Sequence, residues 1–133
     1  MRYSKLFFTA LLTLFVCVAT PAFAQGEKRG ACIEFKESVH DFGQIARKGD
    51  NRSHIFKVTN SGDEPLVIFS ASTSCSCTKV TFSHKPIKPG DTSSVKVVIE
   101  PRKIDEGVFH RIVQIHSNAS NGTAILTIKG LAK

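Results

Sequence analysis

The chain has 133 residues, 41% of them hydrophobic, and a formal net charge of +7 from 18 basic and 11 acidic residues. This length fits a single domain that can bury a core without help from metals or several disulfides. Apart from Arg2 and Lys5, the basic residues are scattered from Lys28 to Lys133 and form no basic arm with interleaved aromatic residues, which argues against nucleic acid as a partner.

The N-terminal segment has the three parts of a signal peptide. Two basic residues precede an apolar run at 6–19, and small residues two apart follow it, at Ala22 and Ala24. The run is too short to span a bilayer comfortably. We therefore predict a signal peptide over residues 1–24, and an exported protein, periplasmic or secreted, that begins at Gln25. We predict no transmembrane segment in the mature chain.

The cysteines separate into one within the signal peptide and three beyond it. A lipoprotein signal needs small residues just before its cysteine, whereas Phe15 and Val16 precede Cys17, so lipid anchoring through Cys17 is disfavoured. An odd number of mature cysteines in an oxidising compartment leaves at least one thiol free or paired with another molecule. The three are Cys32, Cys75 and Cys77.

After a loose leader at residues 25–30, residues 31–133 have the pattern of one domain built from short β-strands. Apolar and β-branched residues alternate with polar ones, and no segment shows helical periodicity over three turns. The third predicted strand is mostly apolar, so we expect it to be central in its sheet. Seven strands are predicted, at 31–35, 54–59, 66–71, 79–82, 95–99, 109–115 and 124–128.

The spacing of strands and turns predicts the fold. Turns rich in Gly, Pro, Asn and Asp recur about every eight to twelve residues, which is typical of an all-β, immunoglobulin-like antiparallel sandwich of about seven strands. Gly43 beside Phe42 indicates a strand kink with an aromatic anchor. Alternation onto one face of each strand predicts a single core of Phe56, Val58, Ile68, Val95, Val97, Val113, Ile115, Leu126 and Ile128.

Five pieces of the sequence, in order, resemble a known family. They lie at 41–45, 56–68, 74–78, 86–90 and 107–118, and the third contains Cys75-Ser76-Cys77-Thr78. Their order and spacing resemble the DUF1573 family of exported bacterial proteins, which in turn resembles the immunoglobulin-like ASH and PapD-like domains. Ser76 replaces the glycine that is usual in the family's Cys-Gly-Cys-Thr, and Cys32 lies outside the family's pattern. The resemblance implies a sandwich fold and export, and it brings no established activity.

The pair Cys75 and Cys77 is the one constellation that could carry chemistry. Side chains two apart on an extended chain point to the same side, so both sulfurs can face one point. A disulfide between them closes a very small ring, and strained, exposed disulfides are the labile or catalytic ones. Two thiolates could instead capture a soft metal such as Cu(I) or Zn. A structural role, including a bond from either cysteine to Cys32, is the alternative. We expect the pair at one end of the sandwich after the third strand, with both cysteines at least partly accessible.

The histidines show no metal-ligand spacing, although His84, seven residues after Cys77, could approach it across a hairpin. We identify no catalytic residue, metal site or cofactor from the sequence. The leading interpretation is an exported, non-enzymatic β-sandwich module that binds an unknown protein or envelope component. The alternatives are a periplasmic thiol or redox factor that uses Cys75 and Cys77, with Cys32 and His84 as further candidates, and a soft-metal binder. The sequence assigns neither binding residues nor an oligomeric state.

Overall fold

The computed structural model describes residues 30–133, so the predicted signal peptide and nearly all of the leader lie outside the described residues. No helix in the described part is long and apolar enough to cross a membrane. A single turn of 3-10 helix, Pro101–Lys103, lies between the sixth and seventh strands. The strands are β1 (Ile33–Phe35), β2 (Val39–Ile45), β3 (Arg52–Asn60), β4 (Ile68–Thr73), β5 (Thr78–Phe82), β6 (Thr92–Ile99), β7 (Gly107–Ser117) and β8 (Ala124–Ala132).

The strands form a sandwich of two four-stranded sheets. Sheet A has the order β1-β3-β6-β5, and all of its pairs are antiparallel. Sheet B has the order β2-β8-β7-β4, in which β7 is antiparallel to β8 and β4 while β2 runs parallel to β8, with Val39 opposite Thr127. The predicted all-β, immunoglobulin-like sandwich is confirmed, although sheet B is mixed because of β2.

The core between the sheets contains all nine residues predicted for it. None of the nine is more than 1% exposed, because the period of two along each strand turns them all to the inner face. Burying one such side chain stabilises the fold by about 1.5–3 kcal/mol. Residues from strand ends and loops complete the core, among them Ile45, Leu66, Ile99, Ile104, Phe109 and Ala132.

β2 is an eighth strand that the seven predicted ones do not include. It mixes polar and apolar residues, and its partner β8 is remote in sequence, so alternation alone does not reveal it. Its register shifts between Asp41 and Gln44, and Gly43 there has a φ of 66°, in the left-handed region that glycine tolerates. Phe42 beside it packs against the core. The kink predicted at Gly43 is thereby confirmed.

The third predicted strand is not central, and this expectation is wrong. β4 begins two residues later than predicted, lies at the edge of sheet B and pairs only with β7. Leu66 lies before β4 and does not pair with β7. It is wholly buried, and its backbone pairs with Ile87 in an isolated bridge. The apolar run therefore reflects a buried approach to the strand, and within residues 30–133 no strand pairs with the outer edge of β4.

One buried side chain, Asn60 at the end of β3, ties together the loops at one end of the sandwich. Its amide nitrogen donates to the carbonyl oxygens of Glu64 at 2.7 Å and Ile87 at 2.8 Å. Its Oδ1 accepts the backbone N–H groups of Gly62 at 3.0 Å and Cys32 at 3.3 Å. Asn60 is 0% exposed, so these four bonds form without competition from water.

Candidate functional site

The turn at residues 74–77, which carries Cys75 and Cys77, crosses from sheet B to sheet A. It joins the end of β4 to the start of β5, where Thr78 pairs with Ile99. Thr59, next to Asn60, pairs with Thr92 at the other end of sheet A. The cysteines therefore lie at the end of the sandwich opposite Asn60, in the place predicted for them.

Cys75 and Cys77 form a disulfide, with their Cα atoms 5.2 Å apart. Cys77 is wholly buried, whereas Cys75 is half-buried and packs against the edge of the core. The expectation that both are at least partly accessible is wrong for Cys77, because this residue enters β5 with its side chain in the core. An incoming thiolate must reach a sulfur to exchange with a disulfide, so the Cys77 sulfur is closed to attack and exchange would have to begin at Cys75.

Backbone bonds hold the Cys75–Cys77 turn in place. The carbonyl oxygen of Cys75 accepts from the Thr73 hydroxyl at 3.0 Å and from the Thr78 N–H at 3.2 Å. The carbonyl oxygen of Cys77 accepts from the Glu100 N–H at 2.8 Å, which fixes the turn to the residue after β6. The turn is thus held by the end of β4, by the start of β5 and by the residue that follows β6.

The Glu100 side chain adds charge to this end of the molecule. Its carboxylate bonds the ammonium groups of Lys103 and Lys79, each at 2.8 Å. These hydrogen bonds, that of Lys103 first, lower the pKa of Glu100 from 4.5 to about 2. Both lysines beside the turn therefore have a carboxylate partner at neutral pH.

Cys32 and His84 lie apart from the disulfide. Cys32 is a buried free thiol just before β1, at the opposite edge of sheet A from β5, with its Sγ 3.5 Å from the Ser120 hydroxyl. His84 donates from Nδ1 to the carbonyl oxygen of Ile68 at 3.2 Å, and its ring packs against that of Phe82. The sequence candidates therefore do not converge on one site.

The four sheet edges differ in how well they are protected against pairing with another chain. β1 is three residues long, and the Asn121 side chain bonds both the N–H and the C=O of Ile33, at 3.1 and 2.9 Å. β2 carries Asp41 and the bulge at Gly43, and β5 carries Lys79. β4, with the sequence IFSAST, has no charge and no proline. Its register against β7 shifts between Ile68 and Ser70, and His84 bonds the carbonyl oxygen of Ile68, so the part of β4 without such a side-chain bond begins after Ile68.

A shallow groove adjoins this open edge of β4. It has a volume of about 260 Å³ and lies where β4 meets β7. Phe69 is 57% exposed on the same strand. The Ser72 hydroxyl is 3.2 Å from Nε2 of His116 on the neighbouring strand. The groove is lined by Ser72, Thr73, Ser74, Ile112 and Gln114.

A second cluster, which no sequence spacing links, joins Glu37, His40 and His54. His40 is on β2 of sheet B and His54 on β3 of sheet A, and their rings stack with centroids 3.5 Å apart and planes within 9°. Nε2 of His54 lies 2.5 Å from Oε1 of Glu37 in the β1–β2 link. The sequence contains one sign of this cluster. His40 and His54 each stand two residues before a phenylalanine, Phe42 or Phe56, and residues two apart on a strand share a face, so both histidines are expected on the inner side.

The surroundings of His40 favour its neutral form. Burial lowers the pKa of His40 below its ordinary value of 6.5, and the neighbouring His54 lowers it further. Glu37 and Asp41 act in the opposite direction without reversing the shift. A neutral imidazole keeps a nitrogen lone pair available for bonding.

The two sheets and their connections define an immunoglobulin-like, PapD-like β-sandwich. The ASH/PapD-like domain 7 of human CEP192 is similar, with a TM-score of 0.61, 10% identity and coverage of 76% of this chain and 84% of that one. The periplasmic chaperone SfaE is similar with a TM-score of 0.51, 10% identity and coverage of 76% and 57%. At such low identity these likenesses concern the fold alone.

The chain belongs to the family described as protein of unknown function (DUF1573), whose sequence profile matches residues 33–132. The predicted family resemblance is confirmed. A protein of unknown function from Porphyromonas gingivalis W83 is similar in structure, with a TM-score of 0.69 and 18% identity over 81% of this chain. The match covers 50% of that chain, so this protein spans half its length. No curated protein matches the sequence.

Proposed function

We propose that this protein is an exported, non-enzymatic module that binds an extended segment of a partner protein along the open edge of β4. The observation that carries the proposal is the unprotected edge itself. An edge strand presents a row of backbone N–H and C=O groups, and β4 beyond Ile68 is the one edge of the four with neither a charge, a bulge at glycine, nor a side-chain cap along it. The fold shared with a periplasmic chaperone supports a binding role by analogy.

The added segment would extend sheet B as a further strand. Main-chain hydrogen bonds supply affinity in this mode of recognition, and pockets for alternate side chains supply specificity. The groove beside Ser72 and Ile112 offers such a pocket. His84 already bonds the carbonyl oxygen of Ile68, so the segment available for pairing runs from residue 69 to residue 73.

Proline substitutions in β4 test this edge. Backbone N–H groups point alternately to the two sides of a strand. Of Ala71→Pro and Ser72→Pro, one therefore removes an N–H group that points away from β7 and leaves the hydrogen bonds between β4 and β7 intact. We expect that variant to keep nearly the wild-type melting temperature and to lose its partner when the immobilised protein is incubated with envelope extract. Val108→Ser is the control. Val108 is 86% exposed on β7 of the same sheet, outside the part of β7 that pairs with β4, so this variant should keep the partner. Equal retention by the folded proline variant, or loss by Val108→Ser, contradicts edge pairing.

Thiol exchange is a second candidate, favoured by a disulfide in which Cys75 is only partly buried. A partner thiolate would attack the Cys75 sulfur and form a mixed disulfide, while Cys77 leaves as a thiolate, so no outside oxidant is required. In the same retention assay without reductant, exchange predicts partner bound covalently, released by reductant and absent when both cysteines are serine. Edge pairing predicts that the double serine variant still retains its partner.

Export is the remaining part of the proposal, and the mass of the mature protein tests it. Small residues at Ala22 and Ala24 place the cleavage before Gln25. We expect the intact mass of the protein recovered outside the cytoplasm to correspond to a chain that begins at Gln25. A mass that includes residues 1–24, or a lipid on Cys17, would overturn it.

A further inference from the structure

We propose that Glu37, His40 and His54 form a binding site for a divalent transition-metal ion, with zinc as the ion that fits them best. One ligand atom from each residue lies within 4.8 Å of the others. The three residues come from the β1–β2 link, β2 and β3, so the site would join sheet A to sheet B.

The chemistry of the three side chains selects the class of ion. Two imidazoles and one carboxylate are a ligand set typical of zinc, whereas Mg²⁺ and Ca²⁺ prefer oxygen ligands. Three protein ligands leave the fourth position of a tetrahedral ion open for water or for a group from a partner. The site would therefore be able to accept a further ligand from outside.

The aromatic rings around the cluster favour metal binding over simple solvation. The Phe42 ring meets His40 edge-on with centroids 4.6 Å apart, and the Phe56 ring meets His54 edge-on at 4.8 Å. Both rings shield the imidazoles from water on the side toward the core. The attraction between the Glu37 carboxylate and a bound cation is stronger beside this apolar surface than in bulk water.

Binding requires two local rearrangements, one of the stacked rings and one of the Glu37–His54 contact. An imidazole bonds a metal in its own ring plane, and the two stacked rings lie in nearly parallel planes, so at least one ring must turn out of the stack. His40 is half-buried on an edge strand and has the freer position of the two. Zinc would take the place of the hydrogen between Nε2 of His54 and Oε1 of Glu37, and His54 would keep its remaining proton on Nδ1. These two atoms lie 2.5 Å apart and would have to separate, because zinc bonds each ligand atom at about 2.0–2.2 Å.

Calorimetric titration of the untagged protein with ZnCl₂, without reductant, tests the site. We expect one zinc ion per chain and no uptake of MgCl₂. His40→Gln and His54→Gln should each weaken zinc binding by more than the roughly 10- to 100-fold that loss of an outer-shell partner costs. His110→Gln, at an exposed position of β7, is the matched control and should bind as the wild type does. Circular dichroism of each variant establishes that it is folded.

Histidine ring signals in NMR spectra give a second measurement. The expected result is that zinc shifts the ring signals of His40 and His54 together as the stack opens, while those of His110 stay in place. A Cys32→Ser variant should bind zinc unchanged, since the buried thiol is not part of the site. The proposal is overturned if zinc does not bind, if folded His40→Gln and His54→Gln both bind as the wild type, or if Cys32→Ser abolishes binding.

Discussion

Replacement of Asn60 by alanine is expected to cost about 3–5 kcal/mol of folding stability. The change deletes four hydrogen bonds at once. The N–H groups of Cys32 and Gly62 and the carbonyl oxygen of Glu64 lose the partner that Asn60 provides, whereas the carbonyl oxygen of Ile87 keeps the Leu66 N–H at 2.9 Å. Each buried group left unsatisfied costs about 1–3 kcal/mol. The methyl side chain of alanine has no atom that could form a hydrogen bond with these groups. Chemical denaturation followed by circular dichroism measures the loss.

Asn118 provides the control for this prediction. Its amide makes similar bonds, to the Val67 N–H at 2.8 Å and the Pro65 carbonyl oxygen at 3.0 Å, but in an exposed setting. Water can replace those bonds, so Asn118→Ala should cost no more than about 1 kcal/mol. If the two variants lose equal stability, the burial of Asn60 is not what makes its bonds valuable.

Replacement of Val97 by aspartate is expected to prevent folding. Val97 lies on β6 between His54 of β3 and Val80 of β5, and it is 0% exposed. An aspartate there places an unpaired carboxylate between the sheets, which costs several kcal/mol, on the order of the whole stability of a small domain. We expect insoluble protein, or soluble protein without a cooperative thermal transition.

The neighbouring residue separates the effect of burial from that of the substitution. Lys96 is next to Val97 on the same strand, and its side chain is exposed on the other face of sheet A. Lys96→Asp should change stability by no more than about 0.5 kcal/mol. A folded Val97→Asp protein with the wild-type melting temperature, or an unfolded Lys96→Asp protein, would mean that the two faces of β6 are exchanged.

The alternation of residues predicts the core well because one physical rule governs it. Val95 and Val97 are buried and Lys96 between them is exposed, as a period of two requires. The same rule fails for residues 66–71, because Leu66 is buried by a loop bridge and the strand begins only at Ile68. Burial alone does not distinguish a central strand from an edge strand with a buried approach.

The candidate site was only partly accessible to prediction. Spacing places Cys75 and Cys77 side by side, and the turn between the sheets follows from the strand that precedes them. The burial of Cys77 depends on how β5 packs, which spacing does not encode. The stack of His40 on His54 depends on two strands of different sheets meeting at one seam, and the pairing of β2 with β8 that creates this seam is remote in sequence.

That remote pairing also bears on the order in which the sandwich folds. Val39 pairs with Thr127, which lies 127 − 39 = 88 residues further along the chain. Hairpins such as β7 with β8 close between neighbouring segments, whereas contacts between distant segments form slowly. We therefore expect β2 to dock after the β7–β8 hairpin has formed. Contact between the rings of His40 and His54 would then report that the two sheets have closed on each other.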